Sequence, residues 1–178
     1  MEQNFSASEM SDMAVVTSEE SLERAIRHVS DAWLPPQPEI LEAIRSNLRS
    51  GAYVADRASL SKDLKQDVAL YTYCLKELNL LLNTEQKSGA TNVLLQASDA
   101  DLLQILDRQA NQISTHSIDD ITEFQALRFR ESLLSASTAE VLAEQAQLDS
   151  EIGFSCALLR QLGLALIAWN YPRVYARA

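Results

Sequence analysis

Ser150–Pro172 reads SEIGFSCALLRQLGLALIAWNYP and is the longest apolar run in the chain. From Phe154 to Trp169 only Arg160 is charged, and Gln161 stands beside it. A helix that is apolar on nearly every side is normally buried on most of them. This stretch is therefore expected to be the central helix, with the other segments packed around it and Pro172 stopping it.

The segments before it follow a helical rhythm. Residues 1–16 are polar and patternless and read as a flexible N-terminal tail. Thr17 and Glu20 form a capping-box pattern, and Leu22, Ala25, Ile26, Val29 and Trp33 recur at helical spacing. They predict a leading amphipathic helix over 17–33. The run Leu34-Pro35-Pro36-Gln37-Pro38 must break it, and Pro38 suits the first position of the next helix. That helix carries Ile40, Leu41, Ile44 and Leu48 on one face and ends by Gly51. Ser59 to Gln66 reads as a short helix, and Asp67 as the cap of a longer one with Val68, Tyr71, Cys74, Leu75, Leu78 and Leu82 inward. Asn83 to Asn92 reads as a loop. Ser98-x-x-Asp101, Ser117-x-x-Asp120 and Ser137-x-x-Glu140 each read as a helix start. No stretch alternates at period two for long enough to make a strand. The expected class is all-α, an irregular bundle of about seven or eight helices.

Composition sets limits on function. The 178 residues hold four glycines and four prolines, which suits helices better than a many-turned sheet. A net charge of −10 repels phosphate backbones, so nucleic acid is not expected as a partner. The N-terminus has neither the basic nor the apolar region of a signal peptide. Ile152 to Trp169 approaches the length of a membrane span, but Arg160 and Gln161 fall near its midpoint, where a charge costs about 3 kcal/mol. A cytoplasmic protein without a membrane association is the expectation. Cys74 and Cys156 lie far apart in apolar patterns and are expected as buried, reduced thiols. Tyr71, Tyr73, Trp33 and Trp169 stand at helical spacing and read as core anchors.

At several places the residues resemble the HDOD family, signalling relatives of the HD-domain metal-dependent phosphohydrolases. Leu34-Pro35-Pro36-Gln37-Pro38-Glu39-Ile40-Leu41 is similar to the LPPLP-type opening of those domains. Ser59 to Leu70 is similar to their next segment, with Val68 where the family usually has proline, and Leu75-Lys76-Glu77-Leu78-Asn79 to the close of that helix. Phe154 to Gly163 resembles Phe-Leu-Ala-Gly-Leu-Leu-His-Asp-Ile-Gly, and Tyr171-Pro172-Arg173-Val174-Tyr175 its Tyr-Pro-x-x-Tyr continuation. Ile113-Ser114-Thr115 is a candidate for the family's Ser-Ser-x-x-x-Ala segment. The resemblance implies one HD-domain-like unit over 34–178, truncated or shortened at the C-terminus because the family's domain runs on for further helices.

The resemblance also locates a missing chemistry. HD-type hydrolases bind metal through histidine and aspartate, and the metals activate water and clamp phosphate. The positions matching their His-Asp pair are Arg160 and Gln161, and the upstream histidine falls near Ala136. Arginine stays protonated and cannot be a metal ligand. The two histidines, His28 and His116, lie outside the motif, and no His-x-x-x-His, Cys-x-x-Cys, glycine-rich phosphate loop or Gly-x-Ser-x-Gly elbow is present. The expectation is a non-enzymatic module without a cofactor or metal, acting in bacterial signal transduction by binding a protein partner, a signalling domain or a small ligand. The alternatives are a degenerate HD-type phosphohydrolase and an unrelated helical interaction protein. Arg160 has two readings: a side chain that reaches the surface, or a fixed cation in the vacated metal site, held by a carboxylate.

Overall fold

The computed structural model describes Glu23, Arg24, Arg27, His28 and residues 33–82, 90–108 and 110–175. The expected tail over 1–16 and the Thr17–Glu20 capping box lie outside the described residues. Within the expected leading helix, Glu23, Arg24, Arg27 and His28 are helical.

Nine α-helices with defined bounds follow, and no strand occurs among the described residues. They are α1 (Pro38–Ser50), α2 (Arg57–Leu64), α3 (Val68–Leu82), α4 (Ala90–Gln96), α5 (Asp99–Leu106), α6 (Ala110–Ile113), α7 (Glu123–Gln145), α8 (Ser150–Asn170) and α9 (Pro172–Tyr175), with a 3₁₀ turn at Ile118–Asp120. The all-α class agrees with the sequence reading. The number exceeds seven or eight because α6 and α9 are single turns, too short to leave a periodic pattern.

Local signals account for most of the boundaries. Pro38 opens α1, and Gly51 closes it at φ 73°, a left-handed conformation that glycine adopts without strain. Asp67 caps α3 by accepting from the N–H groups of Ala69 (2.8 Å) and Leu70 (3.1 Å). Ser98 and Asp101 cap α5 reciprocally. Two expected starts are corrected. Ser117 accepts from Asp119 N–H and opens only the 3₁₀ turn. Ser137 lies inside α7, which begins at Thr122 with Gln125 as its capping partner. The Thr122–Gln125 box satisfies the free N–H groups about four turns earlier than expected, and nothing breaks the helix before Ser137. The expected loop also ends sooner, because α4 starts at Ala90.

The central element is α3. Val68, Ala69, Leu70, Tyr71, Thr72, Tyr73, Cys74, Leu75 and Leu78 are all buried, and α2, α4, α5 and α7 pack around the helix. Burying each large apolar side chain stabilises the fold by about 1.5–3 kcal/mol. This corrects the expectation that Ser150–Pro172 would be the hub. α8 buries Phe154, Leu158, Ala165, Ala168 and Trp169, but Ile152, Leu159, Leu164 and Ile167 remain 41–53 % exposed. Both helices are rich in apolar residues, and only the placement of neighbours separates them. By length and composition α8 could cross a membrane, the one such helix among the described residues.

α8 joins the rest of the molecule in two ways. It packs along α7 after a tight turn over 146–149, the geometry of an antiparallel helical hairpin. Gly153 permits the close approach, since a Cβ there would stand 2.8 Å from the Ala139 carbonyl oxygen and from Ala143 Cβ. Inward, Phe154 meets the Tyr71 ring edge-on at 5.3 Å, and Tyr71 Oη lies 2.8 Å from Ser155 Oγ. Gln125 donates to the Ala168 carbonyl at 3.3 Å and ties the start of α7 to the end of α8.

Candidate functional site

The sequence places chemistry at Arg160 and Gln161, so their surroundings come first. Arg160 is exposed and Gln161 half-buried. Both border a shallow groove of about 470 Å³ between α7 and α8, together with Leu134, Thr138, Leu142 and Ala157. Among the described residues no hydrogen bond or ion pair joins Arg160 to a carboxylate. Of its two readings, the structure has the surface-reaching one. Ala136 is fully buried in the core and does not line the groove, so the positions matching the upstream histidine and the His-Asp pair do not meet there. The described residues contain no group of three or more His, Cys, Asp and Glu side chains placed to hold a metal ion.

The segments that carry the resemblance do meet. Gln37, inside the Leu34–Pro38 run, donates its N–H to Asp67 Oδ2 at 2.6 Å. Trp33 Nε1 donates to the Ala69 carbonyl at 3.4 Å, and Ser114 Oγ donates to the Trp33 carbonyl. The proline run, the start of α3 and the Ile113-Ser114-Thr115 segment thus share one buried junction. Burial pushes the Asp67 carboxyl up, against the pull of the N–H donors from Gln37, Leu70 and Ala69. A cavity of about 320 Å³ lies beside this junction, between Pro35, Pro36 and Pro38 and residues 114–119.

A larger cavity, about 610 Å³, opens on the other side of α7. Lys65 stands in it and donates to Glu140 and Glu151, each at 2.6 Å, with its ammonium 4.6 Å from the Phe154 ring centre. Lys62, Gln66, Leu133 and Ser137 complete much of the wall. Burial alone would lower the Lys65 pKa, but the two carboxylates outweigh it and the net displacement is upward. This triad was invisible in the sequence. Lys65 is 75 residues from Glu140, and only the docking of α2 against the α7–α8 hairpin brings the three together.

The remaining candidates have ordinary surroundings. Cys74 is fully buried, and burial drives its thiol pKa far up, which leaves it inert. Cys156 is exposed, a correction to the expected pair of buried thiols; it lies on the outer side of α8. His116 rests against Trp169 at 5.6 Å and lies 3.4 Å from Asn170 Oδ1, and His28 lies 5.8 Å from the Tyr171 ring. Tyr71, Tyr73, Trp33 and Trp169 are buried, as their spacing predicts.

No family model, no curated protein and no solved structure matches the chain.

Proposed function

We propose that the chain is an HDOD-like helical module that works in the bacterial cytoplasm by binding, without catalysing a reaction. The observation that carries the reading is the pair Arg160 and Gln161. Where a hydrolase of the resembled type needs two metal ligands on one helix, this helix offers a permanent cation and an amide on an open surface. The shared junction of Gln37, Asp67, Trp33 and Ser114 supports an HD-like arrangement, because it joins separate segments of the resemblance. The short, variously packed helices α1–α6 also suit such an arrangement better than a regular antiparallel bundle.

A second reading, a degenerate phosphohydrolase with a relocated site, has one observation in its favour. The Lys65 cavity is large enough for a small ligand and contains two carboxylates. Both carboxylates are engaged by Lys65, which opposes their use as metal ligands. Metal analysis of the purified protein and a panel of phosphodiester substrates decide between the two. Stoichiometric metal or turnover abolished by Glu140→Gln would overturn the non-catalytic reading.

A further inference from the structure

Exposed apolar surface is concentrated in one part of the molecule. Of the fifteen large hydrophobic side chains exposed among the described residues, ten lie on α7, α8, α9 or the α7–α8 turn. On α7 they recur every seven residues, at Leu127 (49 % exposed), Leu134 (64 %) and Val141 (51 %). On α8 the stripe runs through Ile152, Leu159, Leu164 and Ile167. The groove lies between the two stripes, and Arg160 is the only charged residue lining it. An apolar patch of this kind on a soluble surface marks an interaction site.

The charges on this face select the occupant. Arg160 is exposed and has no ion-pair partner among the described residues. Of the carboxylates on α7, Glu131 is paired with Arg128, Glu140 is held by Lys65 in the other cavity, and Glu123 and Glu144 stand at opposite ends of the helix. The groove is therefore apolar with one unpaired positive charge, Arg160, beside the Arg128–Glu131 ion pair, on a chain of net charge −10. A second copy would set Arg160 against a groove whose own charge is Arg160, with the Glu131 carboxylate already held by Arg128. We infer that the outer face of the α7–α8 hairpin is a docking groove for an amphipathic helix of another protein. Apolar residues at i, i+3, i+4 and i+7 would fill the groove, and an acidic side chain would reach Arg160. This inference rests on the binding-module reading and gives that reading a site and a partner class.

Cys156, one turn before Arg160 on α8, supplies the readout, because Cys74 is fully buried. The probes are two synthetic helical peptides with the same leucine pattern, one with glutamate and one with lysine at the polar positions. Each is titrated against the full chain while the alkylation rate of Cys156 is followed. The glutamate peptide is expected to protect Cys156 and to bind roughly fivefold more tightly than the lysine peptide. Arg160→Glu should remove or reverse the preference, and Leu134→Asp should abolish protection, both with unchanged helical circular dichroism. Equal binding of the two peptides, binding of neither, or a preference that survives Arg160→Glu overturns the inference. So does protection of Cys156 that grows with protein concentration alone, which would assign the face to a second copy. A native partner whose capture is indifferent to both variants would overturn this groove while leaving the binding-module reading intact.

Discussion

The Gln37 N–H donates to Asp67 Oδ2 across 2.6 Å, so the carboxylate that caps α3 also holds the proline run 30 residues earlier in the chain. Asp67→Ala removes the cap and at once leaves the part-buried Gln37 N–H without its acceptor. A lost cap costs about 0.5–2 kcal/mol and an unsatisfied buried donor about 1–3 kcal/mol. The Gln37 N–H is only part-buried and costs less than that, so the expected destabilisation is roughly 1–3 kcal/mol by urea unfolding. Asp67→Asn, which keeps the shape and one acceptor, should cost less. A loss below about 0.5 kcal/mol for the alanine variant would mean the junction is not a structural tie.

Two glycines on α8 should respond in opposite directions. A Cβ at Gly153 meets the Ala139 carbonyl and Ala143 Cβ, each at 2.8 Å, so the hairpin must open slightly to admit it. Gly153→Ala is expected to destabilise by about 1–2 kcal/mol, overpacking exceeding the gain in helix propensity. Nothing stands within 4 Å of a Cβ at Gly163, and Gly163→Ala should stabilise by up to about 1 kcal/mol. Thermal unfolding of the two variants side by side checks both signs.

Arg160→Ala should leave stability within about 0.5 kcal/mol of the wild type, since the side chain is exposed and has no carboxylate partner among the described residues. A loss of several kcal/mol would restore the reading of Arg160 as a fixed cation in a vacated metal site.

Alkaline pH should destabilise the fold through two groups with the same sign. Burial pushes the Tyr53 phenol from 10 up to about 12, with its hydrogen bond to Asp63 adding to the rise and that from Asn47 opposing it. Between those values the folded phenol keeps a proton that the unfolded chain has lost, so stability falls as pH rises. Lys65 is also displaced upward, so its contribution is complete below the ordinary lysine value and is lost as pH climbs through the folded one. Urea midpoints should decline above about pH 10, and Tyr53→Phe should flatten the decline. A midpoint that rises over that range would contradict both assignments.

The legible part of the site was its chemistry by residue type. Arg160 and Gln161 could be seen to lack ligand character from their side chains alone. That they face an open groove, with Leu134 and Leu142 across from them, depends on which side of α8 meets α7, and the apolar pattern of α8 runs nearly all round. The Lys65–Glu140–Glu151 triad depends likewise on contacts between elements distant in the chain.

The amino-acid sequence by itself determined the helical class and many of the boundaries, because Pro38, Gly51, Asp67 and Ser98 act on backbone groups within a few residues of themselves. It did not determine which apolar helix is the hub. Val68–Leu82 and Ser150–Asn170 are both rich in apolar residues, and local patterning carries no information about how many neighbours will close over a helix. The tertiary structure surrounded α3 with four helices and left α8 paired mainly with α7, so one apolar helix became the core and the other an exposed face. Burial depends on the summed geometry of all the elements, and only the packed molecule supplies that sum.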